Sequence, residues 1–444
     1  MIAEVNLGQL RQDLSQGRVG SWIFTDPGVH RLELERLFTR TWCYLAHESE
    51  IAQPGDYVTR RLGSDGVIVV RGADGVVRCL LNTCRHRGMR VCRADRGQAA
   101  HFTCPYHGWT YANSGQLLGV VAEREAYGEG LDKAEYGLRQ ARVDSYAGLI
   151  FGNWWAEAPP LAEYLGDMRW YLDLVFKRTV EGMKVVGPPQ RWVVDANWKI
   201  PAENFVGDGY HIASAHRSVL PRLASVREGG AHHDGTRTHY HIDAGNGHGL
   251  QMAAFEPPPA AVARYMGLPE QLWPEVRASL SAAQADLLEG LTTLHATVFP
   301  NLSLLNTAAP PKRSGEPAMA RVTLRVWQPV SPDAMGIWSW FLVESAAPKA
   351  FQDASYEAYR MNSGPAGTVE QDDVDIWCGI TAASNGSVGG QTLLNYAMGL
   401  PELEPDRDWP GPGEAYGVPY SEHNQRSFLR RWLHFLSEPF DKER

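Results

Sequence analysis

Two histidines and an aspartate stand close together near the middle of the chain, and residues of these types can bind a metal ion. Asp208 precedes His211 by three residues, and His216 follows five residues later. On an α-helix, Asp208 and His211 would share a face because residues three apart are neighbours there. His216 would lie about 500° further round, so a helix that brings both imidazoles to one ion must end or widen between them. The pattern is compatible with a metal site and equally with a helix end whose histidines are partly buried.

A second group of candidate ligands lies earlier in the chain and contains sulfur donors. Cys84 and His86 form a C-x-H pair, and seventeen residues later Cys104 and His107 form a C-x-x-H pair. Three interpretations are open: a Cys₂His₂ zinc site, a Rieske [2Fe–2S] centre with both imidazoles on one iron, or chance pairing. One ligand of each type in each loop favours the Rieske centre over zinc. The glycine and aromatic neighbours of each loop also favour it, since backbone amides there can donate hydrogen bonds to sulfur.

Short β-type runs separated by turns surround the Cys/His loops. Residues Tyr57 to Leu62 and Val67 to Arg71 flank a Gly-Ser-Asp-Gly turn, and this spacing predicts a compact all-β module. Upstream, Asp26 followed by Pro27 predicts a helix start, with the aspartate as N-cap and the proline at the first helical position. At the other end of the chain, residues 421–440 are predicted to form a helix that packs through Phe428, Trp432 and Phe435.

Length and composition restrict the function. A chain of 444 residues can form two or three domains, and 44% hydrophobic with 21% charged residues is typical of a globular protein. The net charge of −9 argues against a nucleic-acid partner. The sequence contains no run of about 18 apolar residues, so no membrane span is predicted. The N-terminus lacks the apolar core of a signal peptide. Six cysteines are too few for a disulfide scaffold, so we expect a cytoplasmic protein.

The two motifs together resemble one protein family. Cys84-Arg85-His86-Arg87-Gly88 and Cys104-Pro105-Tyr106-His107-Gly108-Trp109 are similar to the Rieske signature of the aromatic-ring-hydroxylating oxygenases. The segment from Asn197-Trp198-Lys199 through Glu203-Asn204-Phe205 to His216 resembles the catalytic iron motif of the same family. The resemblance covers essentially the whole chain, and the most similar group is the naphthalene-dioxygenase-like large (α) subunits.

The resemblance implies an α+β fold. It comprises an all-β Rieske [2Fe–2S] domain and a larger, helix-grip-like catalytic domain, in which helices cover an antiparallel sheet. The expected boundaries are 1–37 for an N-terminal segment that packs on the catalytic domain, 38–157 for the Rieske domain and 158–444 for the catalytic mononuclear iron domain.

Two metal sites are implied. Cys84, His86, Cys104 and His107 would bind one [2Fe–2S] cluster. His211 and His216 would bind one mononuclear Fe²⁺ with a downstream carboxylate, as in the facial triad of non-haem iron oxygenases. Spacing alone does not distinguish the candidates Asp372, Asp373 and Asp375. The resemblance selects Asp373, with Asp372 as the alternative.

Three residues of the iron motif are expected to act without binding the metal directly. Asp208 would orient His211 through the second imidazole nitrogen, and the resemblance implies that it also bridges to a Rieske histidine, His107, of a neighbouring subunit. Asn204 corresponds to a residue near the iron that is not a close ligand. Glu203 would support the bridge or serve as a buried structural carboxylate.

The substrate pocket is predicted from the resemblance to include Phe205, His295, Leu305, Ser363, Thr368 and Val369. For His295, a hydrogen-bonded core histidine is the alternative. Ser363, Thr368 and Val369 stand where the naphthalene-type group tends to carry bulkier aromatic side chains, which predicts a wider pocket for a larger polycyclic or substituted arene. An aromatic carboxylate would need an arginine for bidentate pairing, and the motifs do not single one out. Residues 228–250, rich in glycine and histidine, are predicted to form a solvated loop near the mouth of this site.

The implied function is that of a terminal oxygenase α subunit. It would use O₂ and electrons from NAD(P)H, delivered by a ferredoxin or reductase, to cis-dihydroxylate an aromatic, polycyclic hydrocarbon. The chain lacks a dinucleotide-binding fingerprint, so the nicotinamide should bind to a partner protein. A small (β) subunit and an α₃β₃ assembly are expected. The alternatives are a salicylate-type aromatic-acid monooxygenase on the same scaffold and a Rieske electron carrier without oxygenase activity.

Overall fold

The computed structural model describes residues 6–217, 237–258, 263–309, 319–400 and 403–438. The chain divides into two compact units, Leu37–Leu161 and the combined segments Met1–Arg36 and Ala162–Arg444. Within the described part of the chain, no helix is long and apolar enough to cross a membrane. All six cysteines are free.

The N-terminal segment contains α1 (Leu7–Ser15), β1 (Arg18–Gly20), a 3₁₀ turn (Ser21–Phe24), α2 (Pro27–Leu32) and a π-helical turn (Glu33–Leu37). The carboxylate of Asp26 accepts a hydrogen bond of 2.9 Å from the Val29 amide, and Pro27 occupies the first turn. The helix start predicted at this position is therefore confirmed.

The smaller unit is built from short antiparallel strands. A seven-stranded sheet has the order β2-β11-β10-β5-β4-β3-β6, and a three-stranded sheet has the order β7-β8-β9. The bounds are β2 Cys43–His47, β3 Asp56–Leu62, β4 Asp65–Arg71, β5 Val77–Leu81, β6 Arg96–Gln98, β7 His101–Thr103, β8 Thr110–Ala112, β9 Leu117–Gly119, β10 Gln140–Tyr146 and β11 Leu149–Asn153. Its helical turns are α3 (Glu123–Tyr127) and the 3₁₀ turns Glu48–Ile51 and Lys133–Tyr136. The unit is thus dominated by β-structure, as predicted.

The larger unit contains one large antiparallel sheet. Its strand order is β12-β19-β18-β17-β16-β15-β14-β21, β13 also pairs with β19, and β1 pairs separately with β20. The bounds are β12 Met183–Val185, β13 Gln190–Val194, β14 Arg237–Asp243, β15 Gly249–Phe255, β16 Leu291–Val298, β17 Leu302–Ala309, β18 Met319–Ser331, β19 Ala334–Glu344, β20 Leu393–Asn395 and β21 Glu414–Tyr416. Together with the helices below, this sheet confirms the α+β fold class.

Helices pack against this sheet. Their bounds are α4 Leu161–Leu165, α5 Met168–Phe176, α6 Lys199–Phe205, α7 Ile212–Ala215, α8 Trp273–Ser279, α9 Ala282–Gly290, α10 Lys349–Asn362, α11 Glu370–Ser384 and α12 His423–Ser437, with 3₁₀ turns at Arg264–Gly267, Glu270–Leu272 and Gly389–Gln391. Helix α6 contacts β16, β17 and β18, and α10 contacts β18 and β19. The predicted C-terminal helix is present as α12, and its Phe428, Trp432 and Phe435 are buried.

A buried carboxylate holds the start of α6 in place. Glu33 accepts hydrogen bonds from Lys199 Nζ at 2.7 Å, Trp198 Nε1 at 2.9 Å and Trp432 Nε1 at 2.9 Å. Glu33 and Lys199 are both fully buried, and a buried ion pair is tolerated only when hydrogen bonds satisfy its charges in this way. Glu33 therefore links the N-terminal segment and α12 to the beginning of the iron motif at Trp198 and Lys199.

The solvated loop predicted at residues 228–250 is wrong for the part that is described. Residues 237–243 form β14, residues 249–255 form β15, and His241 and His248 are buried. His248 has both ring nitrogens within hydrogen-bond distance of the backbone, at Tyr164 O and Phe299 N. Residues 228–236 lie outside the described residues. The histidines of residues 237–243 therefore belong to a partly buried strand, which a count of histidines does not indicate.

Candidate metal centres and active site

The two Cys/His loops of the smaller unit share one backbone geometry. The Cys84 amide donates to Met89 O at 2.8 Å, and the Cys104 amide donates to Trp109 O at 2.8 Å. Gly88 and Gly108 adopt φ values of +74° and +71° at equivalent positions, a conformation that glycine reaches without steric cost. Two equivalent turns therefore each present one thiol and one imidazole.

The two imidazoles of these turns lie together. The rings of His86 and His107 lie 4.5 Å apart between centroids, and His86 stacks on Trp109 at 5.1 Å. Cys84 and Cys104 are buried in the apolar core of this unit. His86 Nδ1 is buried without a hydrogen-bond partner among the described residues. Two imidazoles and two buried thiols are the donor types that a Rieske [2Fe–2S] centre uses.

A tyrosine hydroxyl lies against one of these thiols. Tyr111 Oη is 3.3 Å from Cys84 Sγ and accepts a hydrogen bond of 3.0 Å from the Arg85 amide. Because the hydroxyl accepts from Arg85, its own proton is available for the Cys84 sulfur. Tyr111 is fully buried. This contact could not be predicted from local spacing, because Tyr111 lies 27 residues beyond Cys84.

In the larger unit, α6 ends at Phe205, three residues before Asp208. The one-turn helix α7 spans Ile212–Ala215, with His211 at its N-cap and His216 at its C-cap. A helix does end between the two imidazoles, as expected. The shared helix face expected for Asp208 and His211 is wrong, because Asp208 Oδ1 instead accepts from the amides of Tyr210 at 2.9 Å and His211 at 3.2 Å in a turn.

The side chains of His211, His216 and Asp373 converge on one point. Asp373 Oδ1 is 3.5 Å from His211 Nε2 and 3.2 Å from His216 Nε2, and the three ligand atoms lie within 4.8 Å of one another. Ligand bonds of about 2.1 Å at roughly right angles place donor atoms about 3 Å apart. Two imidazoles and one carboxylate at this spacing suit a facial triad with open positions.

The other nitrogen of each imidazole faces a second carboxylate. His211 Nδ1 is 3.2 Å from Asp208 Oδ2, and His216 Nδ1 is 3.3 Å from Asp372 Oδ2. Carboxylates at Nδ1 fix the ring orientation and leave Nε2 for a metal. Burial alone would lower the pKa of each imidazole, but the neighbouring carboxylates outweigh it and raise the pKa of both His211 and His216. Burial would likewise raise the pKa of Asp208, and hydrogen bonding to His211 lowers it below its ordinary value.

Asn204 lies on the Nδ1 side of His211. Its Nδ2 donates to Asp208 Oδ2 at 3.2 Å and is 3.3 Å from His211 Nδ1. The amide therefore adjoins the carboxylate that orients the imidazole, and it lies away from the Nε2 atom that faces Asp373.

Glu203 is a buried carboxyl group beside this network. Tyr396 Oη donates to Glu203 Oε1 at 2.6 Å, and Glu203 Oε2 has no partner among the described residues. Burial raises the pKa of Glu203 to about 8, and the nearby charges of Asp208 and Glu422 add to the shift. The group is therefore largely protonated at neutral pH.

Glu203→Gln is expected to change how stability depends on pH. The ordinary pKa of Glu203 is 4.5 and the folded value is about 8, so the unfolded chain releases this proton first. Wild-type stability should therefore fall between these pH values by up to about 1.4 kcal/mol per pH unit from this group. The charges of Lys199, Asp208 and Glu422 and the Tyr396 hydroxyl remain in the variant. Thermal midpoints measured from pH 5 to pH 8 should rise in the variant relative to the wild type as pH increases. If the midpoints of both proteins change in parallel with pH, the raised pKa of Glu203 is contradicted.

A cavity of about 390 Å³ adjoins His211 and Asp373. Its lining combines apolar side chains, such as Trp377 and Met398, with the carboxyl groups of Glu203, Asp208, Asp373 and Glu422. None of the six predicted pocket residues lines it.

Three of the predicted pocket residues, Phe205, His295 and Leu305, lie at the large sheet. The ring of Phe205 is 6.4 Å from His295 and 5.4 Å from Trp327. His295 pairs across the sheet with Leu305, and both side chains are only partly buried. His295 Nδ1 lies 3.1 Å from Phe205 O and Nε2 lies 3.0 Å from Gln251 Oε1, while burial lowers the pKa of His295 to about 4. His295 is thus a neutral, hydrogen-bonded histidine that still has an exposed edge.

The other three predicted pocket residues differ in exposure. Ser363 is buried at 3% exposure, Val369 is half-buried, and Thr368 is exposed. The Thr368 hydroxyl donates to Met361 O at 3.3 Å. Of the three, Ser363 alone is enclosed.

Two charged residues on β18 were not predicted from the sequence. Arg321 and Arg325 are buried, and both side chains point to the face of the sheet that carries His295. Arg325 forms a bidentate ion pair with Glu370 and lies 5.4 Å from the Phe205 ring centroid. The sequence pattern could have indicated these residues, since Arg321, Thr323 and Arg325 alternate with the apolar Val322 and Leu324 in a strand with two buried faces.

Two family models match this chain. The model described as "Rieske [2Fe-2S] domain" matches residues 41–140. The model described as "Ring hydroxylating alpha subunit (catalytic domain)" matches residues 161–438. A Rieske domain followed by a catalytic domain of this kind defines the class of Rieske-type oxygenases.

Known proteins are similar over almost the full length. The "N,N-dimethyl phenylurea N-demethylase subunit alpha" of Sphingobium sp. (strain YBL2) is 38% identical, covering 96% of this chain and 93% of that protein. The "Biphenyl dioxygenase subunit alpha" of Paraburkholderia xenovorans (strain LB400) is 35% identical over 96% and 92%. A crystal structure of naphthalene 1,2-dioxygenase from Rhodococcus sp. bound to indole superimposes with a TM-score of 0.91 at 44% identity, covering 99% of this chain and 100% of that chain. The chain therefore belongs to the ring-hydroxylating oxygenase alpha-subunit family.

The family prediction is thus confirmed, together with the α+β fold class and the enzyme class of a Rieske-type ring-hydroxylating oxidoreductase. The presence of a Rieske domain supports the predicted [2Fe–2S] cluster. The individual ligands, the mononuclear iron, the pocket residues and the domain boundaries remain predictions.

Proposed function

We propose that this protein is the terminal oxygenase α subunit of a system that oxidises an aromatic ring with O₂. Electrons from NAD(P)H would reach it through a ferredoxin or reductase, and the expected product is a cis-dihydrodiol. The predicted substrate is a polycyclic hydrocarbon. The cytoplasm remains the proposed location, in keeping with six free cysteines.

The observation that carries this proposal is the convergence of His211, His216 and Asp373 within 4.8 Å in a chain with a Rieske domain. These three residues would hold one Fe²⁺, and Cys84, His86, Cys104 and His107 would hold the cluster. Together, the two metal groups would supply one-electron transfer and O₂ activation. An electron carrier without oxygenase activity would have no use for the second ligand set.

The protein residues would orient and connect these groups. Asp208 and Asp372 would hold the two imidazoles so that each Nε2 faces the metal. The Asp208 carboxylate, which lines the cavity beside His211, would also bridge to His107 of a neighbouring subunit. Electron transfer would then require at least two α subunits. An α₃β₃ assembly with a small (β) subunit is the proposed form.

Metal analysis and product analysis test this function together. The reconstituted holoenzyme should contain about three irons and two acid-labile sulfides per chain. Two irons per chain would refute the oxygenase. With NADH, electron-transfer partners and a panel of arenes, the products should retain both atoms of O₂ as dihydrodiols. A phenol that carries one oxygen would instead support the ring monooxygenase.

Tyr111→Phe is expected to lower the reduction potential of the cluster by about 40 mV. The lost hydrogen bond to Cys84 is worth about 1 kcal/mol more when the sulfur gains negative charge on reduction, and 1.4 kcal/mol corresponds to 59 mV for one electron. Redox titration followed by EPR measures the change. Tyr57→Phe is the matched control, because Tyr57 belongs to the same core but its hydroxyl interacts with Cys92, which is not a predicted ligand. An unchanged potential in Tyr111→Phe would show that the hydroxyl does not donate to the cluster.

A further inference from the structure

Arg321 lies on the sheet face that carries the predicted pocket residues. It pairs across the sheet with Thr307, two positions from the pair formed by Leu305 and Thr323. Leu305 in turn pairs with His295. Because residues two apart on a strand share a face, Arg321, Leu305 and His295 all point to the side on which Phe205 packs.

The guanidinium of Arg321 has few partners. Its NH1 donates to the Ser363 hydroxyl at 3.3 Å, and its Nε is buried with no hydrogen-bond partner among the described residues. The neighbouring carboxylate, Glu370, forms a bidentate ion pair with Arg325. Across the part of the chain that the structure describes, Arg321 forms no ion pair with a carboxylate.

Arg321 is therefore a buried cation without a directly paired carboxylate among the described residues. The residue is 5% exposed. Burial, followed by the nearby charge of Arg325, lowers the pKa of Arg321 to about 10, so the group stays protonated at neutral pH. Burying an unpaired charge is costly, and a ligand that supplies the missing anion would remove this cost.

The sheet face that carries Arg321 is only partly covered. Thr293, His295, Leu305 and Thr307 lie on the same face and are only partly buried, although helix α6 covers part of that face. Arg325, four residues further along β18, contacts Phe205, and its partner Glu370 lies one helical turn before Asp373. Four residues of strand span about 13 Å, so Arg321 lies at the end of this region away from the metal ligands.

We propose that Arg321 and Ser363 bind the carboxylate of an aromatic acid. The substrate class would then be an arene that carries a carboxylate, in place of an unsubstituted hydrocarbon. A planar guanidinium matches the two oxygens of a carboxylate, and the Ser363 hydroxyl can donate to one of them. This inference rests on the proposed function and specifies the substrate of the same site.

A binding experiment on the wild-type holoenzyme tests the proposal without turnover. Equilibrium dialysis would compare naphthalene with 2-naphthoate, which have the same ring system and differ by the carboxylate. We expect 2-naphthoate to bind about 10- to 100-fold more tightly, as a charge-assisted pair in a buried site allows. Equal binding, or tighter binding of naphthalene, would overturn the proposal even if no variant can be purified.

Variants locate the effect. Arg321→Met should bring the ratio of the two dissociation constants to about one or below, and Arg321→Lys should retain part of it because a lysine carries the charge without the planar fork. Arg169→Met, which removes an exposed arginine on α5, is the control and should keep the wild-type ratio. A wild-type ratio in Arg321→Met with an intact cluster spectrum would overturn the assignment. Preferential binding of 2-naphthoate by a protein that forms no oxygenated product would refute the proposed function and leave the anion site in place.

Discussion

Asp208→Asn is expected to slow electron transfer to the catalytic site by about 100-fold while both metal groups stay largely loaded. Asp208 Oδ1 accepts two backbone amides, and Oδ2 faces His211 Nδ1. An asparagine can keep the first contacts, but its amide then places a donor against the protonated imidazole nitrogen. The negative charge that connects the site to a neighbouring subunit is also lost. Stopped-flow measurement of the reoxidation of the reduced cluster, with substrate and O₂, reports the rate.

The control for this prediction is Asp167→Asn. Asp167 is exposed at the start of α5, and its side chain makes no capping hydrogen bond, so reoxidation and metal content should match the wild type. Near-normal turnover in Asp208→Asn would refute the bridging role. Loss of iron in proportion to activity would instead show that Asp208 acts only by holding His211.

Asp373→Ala is expected to remove the mononuclear iron and with it the oxygenase activity. Its Oδ1 atom faces both Nε2 atoms, so its loss deletes one of three proposed ligands. Asp372→Ala should have a smaller effect, since Asp372 contacts His216 Nδ1 and would orient the ring. A partner of this kind typically contributes 10- to 100-fold in metal affinity. Added Fe²⁺ should therefore restore Asp372→Ala but not Asp373→Ala.

Iron and sulfide analysis distinguishes the two aspartates. Asp373→Ala should retain about two irons and two sulfides per chain, which correspond to the cluster alone. Asp375→Ala is the matched control on the same helix, because Asp375 is exposed and should leave both iron content and activity unchanged. The opposite pattern, with iron lost in Asp372→Ala and retained in Asp373→Ala, would assign the ligand role to Asp372.

Features that depend on neighbouring residues could be predicted from the sequence. The N-cap at Asp26 and the C-terminal helix with its buried Phe428 and Trp432 are local, because a cap or a helix face is formed by residues a few positions apart. The pairing of one thiol with one imidazole in each loop is also local. That is why the Rieske domain and the family followed from short motifs.

Features that depend on distant residues required the tertiary structure. Asp372 and Asp373 lie in the first turn of α11, and sequence spacing treats them as equivalent. In the fold, consecutive residues of that turn point in different directions, so one faces Nε2 atoms and the other faces Nδ1 of His216. The partly buried strand at residues 237–243 was not predicted for a related reason, because the elements that pack on it are distant in the chain.

The sequence by itself determined the types of the candidate ligands, their order and the family, because these are encoded in segments of a few residues. Only the tertiary structure decided which carboxylate faces which imidazole nitrogen, and that Tyr111 reaches Cys84. It alone also showed that Arg321 is buried beside Ser363 without a carboxylate partner. The contacts Tyr111–Cys84, Arg321–Ser363 and Asp372–His216 join residues that are 27, 42 and 156 positions apart. Contacts of this range depend on how sheets and helices pack, and no local pattern records them.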